Sequence, residues 1–166
     1  MDLNTFMKEI LKRADQNEFD NSEIYLNKSE NFEFRLYKGE VDYYEENEEY
    51  GIAFRGEYQD KMGYSYTERI DESVIDTVLK NAKSNAEIMD EEEEEIFAGD
   101  ESYKELPALT GIYEYDREKK IELLKTIEKK IYDLDDRIRN INYCIYADEK
   151  TGEQILNNKD LELTYE

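Results

Sequence analysis

The sequence has no histidine, no tryptophan, one cysteine, one proline and seven glycines in 166 residues. Each shortage excludes something. Without histidine there is no Ser-His-Asp or Cys-His machinery and no imidazole metal ligand. The single Cys144 can form neither an internal disulfide nor a cysteine-based zinc or iron–sulfur site. So few Pro and Gly residues do not make a low-complexity chain. No apolar run approaches the ~20 residues of a membrane-spanning helix. The amino terminus, Met1-Asp-Leu-Asn-Thr, lacks the basic-then-apolar order of a signal peptide. Basic residues are scarce too, 22 against 44 acidic, for a net charge of −22. That charge repels phosphate backbones, whereas nucleic-acid binders carry basic patches. The expectation is a cytoplasmic protein from a reducing compartment, with no membrane and no direct nucleic-acid contact.

What is present argues for a fold. A charged fraction of 40% with mean hydropathy −0.97 resembles a disordered chain. However, 15 Tyr and 6 Phe are far more aromatics than such chains carry, and the apolar residues are periodic. Phe6, Met7, Ile10, Leu11 and Ala14 recur at helical spacing after Asn4, a candidate cap, and predict a helix over 4–18. From Ser22 the period becomes two. Ile24 and Leu26, then Phe32, Phe34 and Leu36, then Val41 and Tyr43, Tyr50, Ile52 and Phe54, and Met62, Tyr64 and Tyr66 predict four or five short antiparallel strands. Turns are expected at Lys38-Gly39-Glu40 and across 56–61. Asp71 caps a helix over 71–87, with Val74, Ile75, Val78, Leu79, Ala82 and Ala86 facing inward. Between Glu87 and Glu105 stand ten acidic residues and one basic residue, Lys104, the composition of a solvated linker or mobile loop. Asp116 caps a helix over 117–138, whose stripe is Ile121, Leu124, Ile127, Ile131, Leu134 and Ile138. Between Arg117 and Arg139 eight basic and six acidic residues give a local net charge of +2, which suits packing beside acidic strands. Ile141, Tyr143 and Ile145 predict a strand, Thr151-Gly152 a turn, and Ile155 with Leu161, Leu163 and Tyr165 a further strand pattern.

The expected fold class is α+β, a mostly antiparallel sheet with helices packed on one face. The expected organisation is a core over 1–87, an acidic linker over 88–115, and a helix with strands over 116–166 that completes the same domain. The chain stops in mid-pattern at Leu163-Thr164-Tyr165-Glu166, so truncation before a carboxy-terminal domain is expected.

Candidate chemistry is sparse. Forty-four carboxylates make close pairs by chance. Asp133, Asp135 and Asp136 resemble the start of a calcium loop but lack its glycine, and Leu134 belongs to the helix stripe. Cys144 reads as a small buried hydrophobe. Arg55, in the alternating strand Tyr50 to Gly56, reads as half of an ion pair, with a domain-interface or ligand-carboxylate contact as the functional alternative.

The ordered set of elements resembles the amino-terminal domain of the TldD/PmbA family, once labelled modulators of DNA gyrase. The residues that carry the resemblance are Tyr37-Lys38-Gly39-Glu40-Val41 at a turn, Gly51-Ile52-Ala53-Phe54-Arg55 where the family has GxGxR, and Gly63-Tyr64-Ser65-Tyr66-Thr67 where it has GxxYT. Ile155 to Leu161 is similar to the family's xNSxG stretch, with Asn158 and Asp160 in place of Ser and Gly. The resemblance implies family-motif positions at Gly39, Gly51, Arg55, Gly63, Tyr66 and Thr67, structural or interfacial in role, and no catalytic or metal-binding residue here. It implies a non-catalytic amino-terminal domain of a metallopeptidase-family protein, contributing to dimer assembly and enclosure of unfolded peptide substrates. The parent would be a zinc metallopeptidase or its non-catalytic partner subunit, acting in proteolysis as a homo- or heterodimer. Any zinc would lie in the missing carboxy-terminal part, on an HExxxH helix; this chain would carry no cofactor. The alternative is a free-standing acidic interaction module, an inhibitor or nucleic-acid mimic.

Overall fold

In a computed structural model of the chain, which describes residues 1–89, 96–99 and 115–165, Asp2 rather than Asn4 caps the first helix. Helix α1 spans Leu3–Gln16. The Asp2 carboxylate accepts from the Thr5 amide at 2.9 Å and the Thr5 hydroxyl at 2.7 Å, which is N-cap geometry two residues earlier than expected.

The expected four or five short strands are three, two of them long. Strand β1 is Asn21–Tyr37, β2 is Glu40–Tyr58 and β3 is Lys61–Thr67. The polar stretches at 27–31 and 45–49 contain neither Gly nor Pro, so nothing interrupts the ladder there. Only Lys38-Gly39 and Gln59-Asp60 turn the chain. All four have positive φ, at 52°, 81°, 53° and 60°, the two-residue type I′ geometry whose twist matches the flanking strands. Asn and Asp favour this region but Lys and Gln do not, which is why the second turn was hard to place to the residue. Gly56 lies inside β2 instead, where a Cβ would stand 2.6 Å from the Phe19 ring.

Helix α2 spans Glu72–Ile88 behind its expected cap Asp71, and helix α3 spans Arg117–Leu134 behind Asp116. Helix α3 stops before 138 because the Asp135 side chain takes the Arg137 amide at 2.8 Å, a local bond that competes with the helix ladder. Strand β4, Cys144–Asn157, runs straight through Thr151-Gly152, where a turn was expected, and leaves Ile141 and Tyr143 outside any strand. The turn comes later. The Asn157 side-chain oxygen accepts from the Lys159 and Leu161 amides at 2.9 and 3.1 Å, and Asp160 adopts φ +63°. Asp can take this left-handed conformation at modest cost, which explains how it replaces the family's Gly. Strand β5 is Glu162–Tyr165.

The fold is α+β, with strand order β3-β2-β1-β4-β5. Antiparallel pairing sets Ala53 against Tyr66, Arg55 against Tyr64 and Gly56 against Gly63, and on the other side Ile155 against Leu163. Contacts group the chain into two units: Met1–Lys28, Tyr50–Leu106 and Thr151–Glu166 form the first, and Ser29–Glu49 and Pro107–Lys150 the second. Most of the acidic stretch over 88–115 lies outside the described residues.

In the first unit, Phe6, Met7 and Ile10 of α1, Ile75 and Leu79 of α2, Ile24 of β1, and Ile52 and Phe54 of β2 form one apolar cluster. The helices therefore cover the sheet face that carries these even-numbered residues of β1 and β2. Gly63 permits the closest approach: a Cβ there would lie 2.0 Å from the Ala82 carbonyl oxygen of α2. Arg13 joins the helices at their rim, holding Glu9 of α1 at 2.9 Å and Glu72 of α2 at 2.5 Å.

In the second unit, Phe32, Phe34, Leu36, Leu124 and Cys144 form a smaller cluster. The expected stripe of α3 is only partly right. Leu124 is buried, but so are Lys120 and Glu128, while Ile127 and Leu134 are exposed. Spacing by four selects Lys120, Leu124 and Glu128. The Lys120 ammonium pairs with Asp148 at 2.6 Å and lies 4.9 Å from the Phe32 ring centre, so its charge is matched where its stem is buried. Arg117 likewise pairs with Glu46 of β2. Cys144 is a free buried thiol whose pKa is pushed up, chiefly by burial.

Candidate functional site

The sheet face of the first unit opposite its helices carries a groove of about 640 Å³. Pairing builds it. Ala53 and Arg55 of β2 sit opposite Tyr66 and Tyr64 of β3, and directly opposed residues point to the same face. Glu23 and Tyr25 of β1 and Ile155 of β4 complete the floor.

Three of the expected motif positions meet here. Gly51 and Tyr66 act as a pair, because the Tyr66 ring lies where a side chain at 51 would stand: a Cβ there would be 2.6 Å from the Tyr66 hydroxyl. That hydroxyl donates to Glu68 at 3.1 Å. Arg55 is held by Glu23, its Nε 2.9 Å and its Nη2 2.8 Å from the same carboxylate oxygen. The pair is mostly buried, with Glu23 at 13% side-chain exposure. Two guanidinium nitrogens converging on one carboxylate oxygen restrict how the guanidinium can turn.

The other three positions lie elsewhere. Gly63 is on the β3–α2 contact described above. Thr67 closes β3, its hydroxyl accepting from the Arg69 amide at 3.0 Å. Gly39 belongs to the hairpin turn of the second unit.

Phe97, Asn157 and Lys159 also lie near Arg55; the last two belong to the Ile155 to Leu161 stretch that resembles the family's xNSxG, whereas Phe97 belongs to no motif. Phe97 is buried at 6% exposure beside Ile96 at 86%. Its ring centre lies 4.7 Å from the Arg55 guanidinium and 5.6 Å from the Lys159 ammonium. Asn157 donates to the Ala98 carbonyl at 2.7 Å and to Glu23 at 3.3 Å. The one available hint was an aromatic residue inside an otherwise acidic run.

The phenols of Tyr25 and Tyr66 are pushed above their ordinary value, chiefly by donating to Glu153 and Glu68, so both stay protonated donors. No group of three His, Cys, Asp or Glu residues that could hold a metal occurs among the described residues. The groove is apolar and aromatic, with one fixed guanidinium.

Residues 22–86 match the family model described as PmbA/TldA metallopeptidase domain 1. Over those residues the chain is similar to that first domain. The matched stretch holds Gly39, Gly51, Arg55, Gly63, Tyr66 and Thr67, all six positions that the resemblance singled out. Three solved structures share the fold across nearly the whole chain. A protein named as a modulator of a DNA gyrase from Thermotoga maritima is 19% identical, with TM-score 0.78 over 99% of this chain and 37% of its own. Another with that description, from Bacteroides thetaiotaomicron, is 18% identical, with TM-score 0.76 over 98% of this chain and 38% of its own. TldE from Thermococcus kodakarensis is 17% identical, with TM-score 0.72 over 96% of this chain and 36% of its own. The shared fold thus extends to both units, while the chain spans a little over a third of the length of those proteins. No curated protein matches by sequence.

Proposed function

We propose that this chain is the non-catalytic amino-terminal domain of a TldD/PmbA-type metallopeptidase-family protein, contributing to dimer assembly and to enclosure of unfolded peptide substrates in the cytoplasm. The observation that carries the reading is the fold match over 96–99% of this chain to proteins of that group, one of them TldE. The chemistry of the groove agrees with it. A face of Tyr and Ile with an Arg held in place by Glu23 suits binding of an extended peptide. Any zinc and its water-activating glutamate belong to another part of the parent protein. Partners are a second subunit of the same family and peptides, without nucleic acid or membrane. Among the described residues no helix is long and apolar enough to cross a membrane.

The test is on the full-length parent, with and without this domain, by light scattering and by cleavage of an unfolded peptide with zinc present. Loss of the dimer and of peptide turnover on removing the domain is the expected result. An unchanged dimer that cleaves peptide at the full rate sinks the proposal, as does zinc-dependent cleavage by the isolated chain.

A further inference from the structure

The segment Ile96 to Gly99 sits on the first unit as a bound peptide would. Residues 96 and 97 alternate as in an extended ligand, with Ile96 pointing out and Phe97 in. The grip has two parts. The first reads backbone: Asn157 donates to the Ala98 carbonyl at 2.7 Å, and Arg55 reaches the Ile96 carbonyl at 3.4 Å. The second reads one side chain: the Phe97 ring centre lies 4.7 Å from the Arg55 guanidinium and 5.6 Å from the Lys159 ammonium, both within the ~6 Å over which a ring face attracts a cation. The gripping groups are themselves held. Glu23 fixes Arg55, and the Lys159 and Leu161 amides fix the orientation of Asn157 through its oxygen. A site so preorganised loses little freedom on binding.

We infer that Arg55, Asn157 and Lys159 form a peptide clamp that selects an aromatic residue in an extended segment, and that residues 96–99 are its built-in competitor. The partner is a peptide in trans that offers an aromatic ring flanked by two free carbonyls. Ile96 follows Ile88, the end of α2, by eight positions, so the internal segment acts at the millimolar effective concentration of a short tether. A free peptide must exceed that concentration or meet a chain whose Phe97 is gone. The inference goes beyond the assembly role proposed above, and the clamp is testable on this chain alone.

The probe is a fluorescent peptide with the sequence Glu-Ile-Phe-Ala-Gly, that of residues 95–99, titrated by anisotropy. It is expected to bind the Phe97→Ala chain at least tenfold more tightly than the unaltered chain. Replacing its Phe by Ala abolishes that binding, and Lys159→Met in the Phe97→Ala background weakens it about threefold. Equal binding to the two chains, or equal binding of the Phe and Ala peptides, overturns the clamp. If Phe97→Ala fails to fold, a fluorophenylalanine at position 97 of the otherwise unaltered chain takes its place. Its fluorine resonance moves toward the solvent-exposed value as the Phe peptide rises through the millimolar range. A resonance that stays fixed up to ten times that range overturns the proposal. Phe97→Ala leaves dimerisation of the parent unchanged, so a failure of the clamp and a failure of the assembly role are read separately.

Discussion

The two units use the same strands to make different interiors. In the first, two helices bring Phe6, Met7, Ile10, Ile75 and Leu79 to the sheet, and none of these exposes more than 1%. In the second, one helix brings Leu124 flanked by Lys120 and Glu128, and the aromatic rings of Phe32, Phe34 and Tyr146 lie against each other beneath the Lys120 ammonium. β1 alternates in the same way through both, so the difference comes from the helices. An alternating strand specifies a buried face without specifying what buries it. An apolar lid gives stability through area removed from water, while a charged lid gives it only if each charge keeps its partner.

The sharpest test of that contrast is a pair of cavity mutations. Phe54→Ala, in the first unit, removes a 1% exposed ring packed edge-on to Phe19 at 5.2 Å. It is expected to cost about 3–5 kcal/mol, the range for burying a void under rigid neighbours. Phe34→Ala, in the second, removes a fully buried ring stacked on Tyr146 at 5.4 Å. It is expected to cost less, about 2–3 kcal/mol, because Tyr146 and the Lys120 stem can close over the gap. Urea unfolding of both variants, with amide exchange to assign the loss to a unit, is the measurement. Equal costs would show that the two interiors resist a cavity alike.

Next in size is the charge that makes the second interior unusual. Lys120→Met keeps the stem and removes the ammonium, leaving Asp148, at 15% side-chain exposure, without its partner. A loss of about 2–4 kcal/mol is expected. Adding Asp148→Asn should recover most of it, since the double variant no longer carries a lone charge. A double-mutant cycle by urea unfolding decides. A neutral Lys120→Met would mean that the pair contributes nothing and that the second interior is held as the first is.

How much of this was legible in the residues follows the same division. Apolar residues at helical spacing located α1 and α2 and most of their inward faces, because in those helices apolar and buried coincide. They misplaced the inward face of α3 by including Ile127 and Leu134, because the chain there buries a lysine and a glutamate that hydropathy assigns to water. Alternation found the strands, but not that β1 and β2 are continuous. The groove was legible only in parts: Arg55, Gly51 and Tyr66 stood out as a pattern, while Glu23 of β1, Asn157 at the end of β4 and Lys159 in the turn after it are distant from Arg55 in sequence and meet it only through the sheet order. Phe97 was hidden by its acidic neighbours.

The smallest expected effect compares the helix caps of the two units. Asp71 starts α2 and Asp116 starts α3, and each carboxyl lies below its ordinary value of 3.8. The cause is hydrogen bonding, from Ser73 to Asp71 and from the Lys119 amide to Asp116. Because the folded value is depressed, the stabilisation is complete above the unfolded pKa and disappears as pH falls through the folded one. Asp71→Ala and Asp116→Ala should therefore lower the melting temperature by a few degrees at neutral pH and by less and less below pH 3.8. The comparison must be variant against parent, since the chain goes from −22 through zero net charge near pH 4.3 to a positive charge below it, and that change moves both curves together. If α2 is held mainly by its apolar face and α3 by its charges, Asp116→Ala shows the larger drop, because a helix with less buried area depends more on its first turn. A larger drop for Asp71→Ala would reverse that ranking and place the weaker helix in the first unit.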